Sequence, residues 1–336
     1  MNRRTLALST VMVIAGFATT AAYASEIGHF APGVTNIRDF VIPDPGLYAA
    51  IYNYGYMSNR INDADGNKIE SMSLDSDLNM YVLAPTVLWG SNVKVLGARY
   101  GAYFTVSLSN TSVNGTLSNL TIGAKQPLDS STQFTIGDTF VQPLWLGWSG
   151  KHYDISYGYS FYIPSGKYHT EMMTTPVGPV RFESPDNVGF GFWTNQNQGT
   201  VYLYPWADKR MAIQNMLTWE IQRKKRGFDL TPGQNLSWNW GVSQYLPIKK
   251  DNAMLLEVGP AGYSSWQVSD DTGSAALNRS VHDYVHAVGI QVAVVSVKRN
   301  MLLSFHYMNE FSSVDRFQGQ CLGLNLILQL SGGSTK

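Results

Sequence analysis

The chain has 336 residues, with 24 basic and 24 acidic side chains and therefore no net charge. Charged residues make up only 14% of it, against roughly 25% in an average soluble domain, too few for an ordinary soluble surface, while 19 Tyr, 14 Phe and 9 Trp favour strands. Zero net charge without a long Lys/Arg stripe gives no reason to expect nucleic acid, and the lone Cys321 excludes an intramolecular disulfide or a Cys-based metal cluster.

At the N-terminus, Arg3 and Arg4 precede an apolar run from Leu6 to about Phe17, and Ala22-Tyr23-Ala24 supplies a small-x-small cleavage pattern. Residues 1–24 therefore read as a signal peptide removed after Ala24, leaving a mature chain that starts at Ser25. The apolar run is shorter than the ~20 residues a helical span requires, and no later stretch is long and apolar enough for one. Residues 25–45 do not alternate like a strand: Pro32, Pro43 and Pro45 forbid a regular ladder, and Gly33 suits a turn. Two readings stand for this segment: a plug in the periplasmic mouth, with Arg38 and Asp39 pairing to lumen charges, or a loose periplasmic tail.

From residue 46 onward the chain alternates with period two, the signature of a two-faced strand. In the stretch 151–167, "KHYDISYGYSFYIPSGK", Tyr153, Ile155, Tyr157, Tyr159, Phe161 and Ile163 share one face, with Asp154, Ser156, Gly158 and Ser160 on the other. The pattern returns in Leu236, Trp238, Trp240 and Val242, and again in Leu322, Leu324, Leu326, Leu328 and Leu330. Counting such runs predicts twelve strands, near 46–58, 76–89, 93–109, 134–148, 152–163, 188–204, 211–222, 234–246, 253–267, 281–297, 300–311 and 317–330.

The connections alternate in length along with the strands. Gly90-Ser91-Asn92, Ser149-Gly150-Lys151, Pro247 to Asn252 and Lys298-Arg299-Asn300 are short, whereas 59–75, 110–133, 164–187, 223–233 and 268–280 are long and polar. Short turns at one end, long loops at the other and an even strand number describe an all-β, transmembrane antiparallel outer-membrane barrel, here of residues 46–330 with a tail at 331–336. Short turns then face the periplasm and long loops the exterior. Closure removes the sheet edge, whose unpaired backbone groups would each cost several kcal/mol in lipid. Trp89, Trp145, Trp148, Trp206, Tyr245 and Trp266 lie near strand ends and fit interfacial girdles.

On the inward parity stand Arg99, Asp138, Asp154, Glu220, Glu257, His306 and Glu310, with His152 at a strand's periplasmic end. These charges either line a passage or pair across a narrow interior to satisfy one another, since an unpaired buried charge is expensive. Barrels of twelve strands lie between the filled eight-stranded ones and the open porins.

No Gly-x-Ser-x-Gly elbow, His-Glu-x-x-His pair or phosphate loop occurs. His282, Asp283 and His286 form the densest titratable cluster, but parity puts Asp283 on the face opposite the histidines. Asp63, Asp65 and Asn67 begin like a calcium loop, which fails at its twelfth position, Leu74, so a tight surface turn is the better reading. The basic run Arg223 to Arg226 is either a solvated rim or a contact for lipopolysaccharide phosphates.

Segments 29–69, "HFAPGVTNIRDFVIPDPGLYAAIYNYGYMSNRINDADGNKI", and 138–168, "DTFVQPLWLGWSGKHYDISYGYSFYIPSGKY", resemble the outer-membrane transporters of the meta-pathway phenol degradation family, which includes sphingosine-responsive proteins. The resemblance covers the mature chain and weakens from about residue 268. It implies a barrel associated with uptake of aromatic or lipid-like compounds. One departure is the C-terminus, where Leu330 is followed by "SGGSTK" rather than ending the chain on an aromatic residue.

The expected function is passive diffusion of small hydrophobic or aromatic compounds through or along the barrel, without enzymatic chemistry and without a cofactor or metal. The alternative is a structural or surface-interaction barrel acting through its outer loops, and an outer-membrane hydrolase is a distant third. Expected partners are outer-membrane lipid and lipopolysaccharide, the small permeant molecule and the barrel assembly machinery, with no nucleic acid.

Overall fold

A computed structural model describes residues 27–69, 78–119, 124–175, 178–184, 186–249, 252–276 and 279–332. The predicted signal peptide and Leu74 lie outside these residues. The described chain forms β1 (Gly46–Ser58), β2 (Leu78–Val95), β3 (Ala98–Asn119), β4 (Ala124–Ser131), β5 (Thr135–Ser149), β6 (Tyr153–Ile163), β7 (Thr170–Thr175), β8 (Gly178–Glu183), β9 (Thr194–Leu203), β10 (Met211–Gln222), β11 (Asn235–Pro247), β12 (Met254–Gln267), β13 (Tyr284–Ser296), β14 (Met301–Val314) and β15 (Gln320–Ser331).

Every neighbouring pair is antiparallel. One 13-stranded sheet contains all but β7 and β8, and β4 pairs only with the outer part of β3, leaving twelve strands in a ring. β1 pairs with both β2 and β15, so the ring is closed and the twelve-stranded barrel has no edge. The alternation sorts side chains between two environments. On β6, Asp154, Ser156 and Ser160 are buried inside, whereas Tyr153, Ile155 and Tyr157 are exposed on the outer face. On β15, Cys321 and Asn325 point inward and Leu324 outward. The outer face meets lipid.

Several boundaries differ from the sequence expectation. The first short turn lies at Leu96–Gly97, not at 90–92: β2 runs on to Val95, with an irregularity between Gly90 and Lys94. Leu96 and Gly97 have φ of 50° and 77°, the left-handed pair of a type I′ hairpin turn, whose second position Gly97 takes without strain. The predicted loops 110–133 and 164–187 contain strand. β3 and β4 extend the wall beyond the barrel rim, and β7 and β8 form a separate two-stranded hairpin. β9 begins at Thr194 rather than 188, and β13 at Tyr284 rather than 281.

Two girdle expectations are corrected. The β5–β6 register shifts between Val141 and Leu144, around Pro143, which has no N–H for the ladder. The bulge reverses the parity, so Trp145 turns into the lumen and is 2% exposed. Tyr245 shares the inner parity of Gly241 and Ser243, and its ring lies under the Arg38 guanidinium. Trp89 and Trp206 are exposed on the outer surface.

The hydrophobic core lies inside the ring and is organised by the segment ahead of β1. Ile37 packs with Tyr54, Tyr263 and Met308; Phe40 with Tyr202, Tyr204 and Met216; Ile42 with Tyr48, Leu88 and Trp145. Each buried cluster is thus built on one side chain of residues 27–45, and burying each such side chain stabilises by about 1.5–3 kcal/mol.

Candidate functional site

The segment 27–45 runs along the lumen from the short-turn rim to the long-loop rim. At the short-turn end Arg99 holds its backbone, donating to the carbonyls of Ile42 (2.9 Å) and Pro43 (3.1 Å) and to Asp44 (3.0 Å). Arg38 donates from Nε to Ser243 Oγ (2.9 Å) and Glu257 Oε1 (3.1 Å), and from its two Nη atoms to the carbonyls of Lys209 and Arg210 (2.8 Å each). Asp39, expected to pair with a lumen charge, instead folds back within its own segment to accept from Asn36 N–H (2.8 Å) and Nδ2 (2.9 Å), with the Tyr52 hydroxyl as a further donor. Burial raises the Asp39 carboxyl to about 6 against these hydrogen bonds.

Farther up, Gln291 accepts from Ile37 N–H (2.8 Å), Asn325 donates to Val34 O (3.0 Å), and Ser304 donates to Asn36. Near the long-loop rim Glu220 accepts from Phe30 N–H (2.9 Å). There His29 closes the row, its Nε2 2.9 Å from Asp138 Oδ2 and its Nδ1 2.8 Å from Thr194 Oγ1. Burial lowers the pKa of His29, with the Asp138 hydrogen bond opposing, so the ring is neutral at pH 7. In that network Nε2 donates to the carboxylate and Nδ1 accepts from the hydroxyl.

The seven inward charges do not form one cluster. Arg99, Asp138, Glu220 and Glu257 all bind the segment. Asp154 instead accepts from Tyr204 Oη (2.6 Å) and Lys209 Nζ (2.9 Å) at the short-turn rim. Glu310 accepts from Tyr56 Oη and Tyr263 Oη (2.8 Å each) and from Gly319 N–H (2.6 Å). His306 is buried with neither ring nitrogen hydrogen-bonded among the described residues. His152 lies at the short-turn end, its Nδ1 3.0 Å from Tyr204 O.

Beside the segment, aromatic rings make a continuous row along the inner wall. Trp145 meets Tyr103 at 5.7 Å between centroids, Tyr103 meets Phe140 at 5.3 Å, Phe140 meets Tyr162 at 4.8 Å, and Tyr162 stacks on His29 at 4.6 Å. The row starts near the short turns and ends at Phe190 and Phe192 under the long loops. Parity hides it from the sequence, because the β5 bulge brings Trp145 and Phe140 onto one face only in three dimensions.

The remaining motifs separate. His282 binds Asp270 (2.8 Å), Asp283 binds Arg316 (2.9 Å) and His286 meets Ser264 (2.7 Å). Asp63 Oδ1 accepts from the N–H groups of Asp65 and Asn67, and Asp63 O from that of Gly66, a self-closed turn. In the basic run Lys224 pairs with Asp229 (2.7 Å), Lys225 pairs with Glu183, and Arg226 lies over the Tyr168 ring. The Lys224 hydrogen bond, with support from Ser274, holds Asp229 below the usual carboxylate range.

Residues 58–326, more than half of the chain, match the family described as "Putative MetA-pathway of phenol degradation". Among solved structures, the COG4313 outer membrane channel from Pseudomonas putida F1 superposes with a TM-score of 0.61 at 11% identity, over 89% of this chain and 99% of that one. The beta domain of the Bordetella autotransporter BrkA gives 0.43 at 10% identity (85% and 100%), and a Pseudomonas aeruginosa FadL homologue gives 0.39 at 9% (93% and 98%). The first establishes a shared fold; the other two scores are too low to argue from. No curated protein matches the sequence.

Proposed function

Because the chain belongs to the MetA-pathway phenol-degradation family, we propose that this outer-membrane barrel is a channel through which small hydrophobic or aromatic compounds diffuse passively. The aromatic row from Trp145 through Tyr103 and Phe140 to Tyr162 carries this reading. Flat apolar solutes can pass from ring face to ring face along it, at stacking energies of about 0.5–1.5 kcal/mol per contact, strong enough to bind and weak enough to release.

Residues 27–45 act as a plug, with Arg38 and Asp39 among its anchors, and passage requires part of the segment to leave the wall. Arg99, Asp138, Glu220 and Glu257 hold it, while Asp154, His306 and Glu310 line the rest of the lumen. The barrel is exported through a signal peptide cleaved after Ala24, is inserted by the barrel assembly machinery, meets lipopolysaccharide at its outer loops and catalyses no reaction.

Uptake of labelled phenol, benzoate, a long-chain fatty acid and sphingosine at limiting concentration, in cells with and without the protein, tests the reading. Selective loss of aromatic uptake supports it. Unchanged uptake of all four would move the assignment to a plugged barrel working through its outer loops.

A further inference from the structure

The imidazole of His29 sits in a seat that no other residue of its own segment builds. Tyr162 of β6 stacks under it at 4.6 Å with 19° between planes, Phe190 stands at 4.5 Å and Phe192 meets it edge-on at 5.0 Å. At its edge, Asp138 of β5 and Thr194 of β9 take the two ring nitrogens. Asp138 is itself fixed from the barrel side, by the N–H groups of Gly166 (2.9 Å) and Phe190 (2.8 Å). The close approach needs glycine: a Cβ on Gly166 or Gly189 would stand 2.9 or 2.8 Å from Asp138 Oδ1. His29 and Asp138 side chains are 2% and 4% exposed.

All of these walls belong to the barrel and its loops, so the seat persists when His29 leaves it. What it holds is a flat ring between aromatic faces, with a donor on its rim facing a carboxylate and an acceptor facing a hydroxyl. We propose that His29 is a tethered self-ligand of a binding site for uncharged monocyclic rings that carry an N–H or O–H on the rim. An incoming ring of this kind takes the seat by displacing His29 and so frees the far end of the lumenal segment. The inference rests on the channel reading and narrows it. A ring without a rim donor leaves Asp138 with only the Gly166 and Phe190 N–H groups and takes from Thr194 its side-chain partner in a buried site, which discriminates against it. A ring bearing a carboxylate meets the Asp138 charge.

The test is calorimetric titration of the full mature chain in detergent with phenol, toluene, benzoate and imidazole, comparing the wild type with His29→Ala. A tethered competitor acts at an effective concentration on the order of millimolar, so its removal should tighten phenol binding by about tenfold or more. Toluene and benzoate should gain much less, and free imidazole should bind the variant but not the wild type. His29→Phe, which offers the seat a tethered ring without rim nitrogens, should bind phenol more weakly than His29→Ala and more tightly than the wild type, an ordering that loss of fold would not produce. Equal phenol affinity in wild type and His29→Ala, or toluene binding the variant as tightly as phenol, would overturn the proposal. Binding needs no flux: seat binding without protein-dependent uptake defeats the channel reading alone, and uptake without seat binding defeats the seat alone.

Discussion

Arg38 lies over Tyr245, its guanidinium carbon 3.9 Å from the ring centroid, while its Nε reaches Glu257. A strand-end aromatic suited to a lipid interface instead supports a cation inside the barrel, and the cation closes a carboxylate that is 0% exposed. Removing Arg38 leaves that carboxylate buried and unpaired, at a cost of about 3–5 kcal/mol. Arg38→Ala is expected to lower stability by about that much, and Arg38→Ala with Glu257→Gln to recover most of it. Chemical unfolding of the four proteins in a double-mutant cycle measures this; equal losses in the single and double variants would contradict the pairing.

Deleting residues 27–41 removes Ile37 and Phe40 from the lumen along with the Arg38 and His29 anchors. Single-channel conductance in planar bilayers should rise several-fold in the deletion variant while its heat-dependent gel mobility shift persists. Unchanged conductance would mean that the segment does not obstruct the passage.

Two groups on the segment titrate in opposite senses. Burial lowers the pKa of His29, which faces Asp138 and senses Lys225, so its contribution to docking is full above the ordinary value of 6.5 and is lost as the pH falls below it. Burial raises Asp39, which faces Tyr52 and senses Glu257, to about 6, so its contribution is full below the ordinary 3.8 and is lost as the pH rises through about 6. Asp39→Asn should therefore show segment protection that falls toward acid pH, and His29→Gln protection that falls toward neutral pH. Hydrogen exchange of residues 27–45, corrected for intrinsic rates, reads both slopes; slopes of the same sign would refute this assignment.

Leu96 holds a left-handed conformation at φ 50° with its side chain 86% exposed. Trp148 Nε1 donates to its carbonyl at 3.1 Å, a bond to the backbone that a change of side chain leaves available. Leu96→Asn creates the Asn-Gly pair that a type I′ turn prefers and relieves a conformation costing about 1–2 kcal/mol in most residues. Stability should rise by about 1 kcal/mol in equilibrium unfolding, and a loss would indicate that the Leu96 side chain makes a favourable lipid contact.

The sequence pattern reveals the barrel because its strongest signals are local. β1 and β10 coincide residue for residue with their alternation, since each is two-faced from end to end. Local pattern fails where one residue resets the count. Pro143 shifts β5 and carries Trp145 inward, and the strand content of β2 hides a turn that only the backbone at Leu96 and Gly97 discloses. The inward charges are legible one by one from parity, but their grouping is not. His29 carries no sequence signal as a site residue, because its partners Asp138 and Thr194 lie 109 and 165 positions away and converge only when the sheet closes.

The seam between β1 and β15 imposes an order of events on the newly exported chain. The stretch ahead of β1 is synthesised before any strand, yet some of its anchors are 109 positions on at Asp138, 219 at Glu257 and 291 at Asn325. Arg99 can hold the end of the segment at Ile42 to Asp44 early, but the part from His29 to Arg38 is fully anchored only when almost every strand exists, and loop-closure entropy makes those distant contacts slow to form. Its docking then reports that the whole circumference has been completed. A barrel arrested one strand short would leave Val34 without Asn325, so an agent that traps this part of the segment would select unfinished molecules and pass over finished ones.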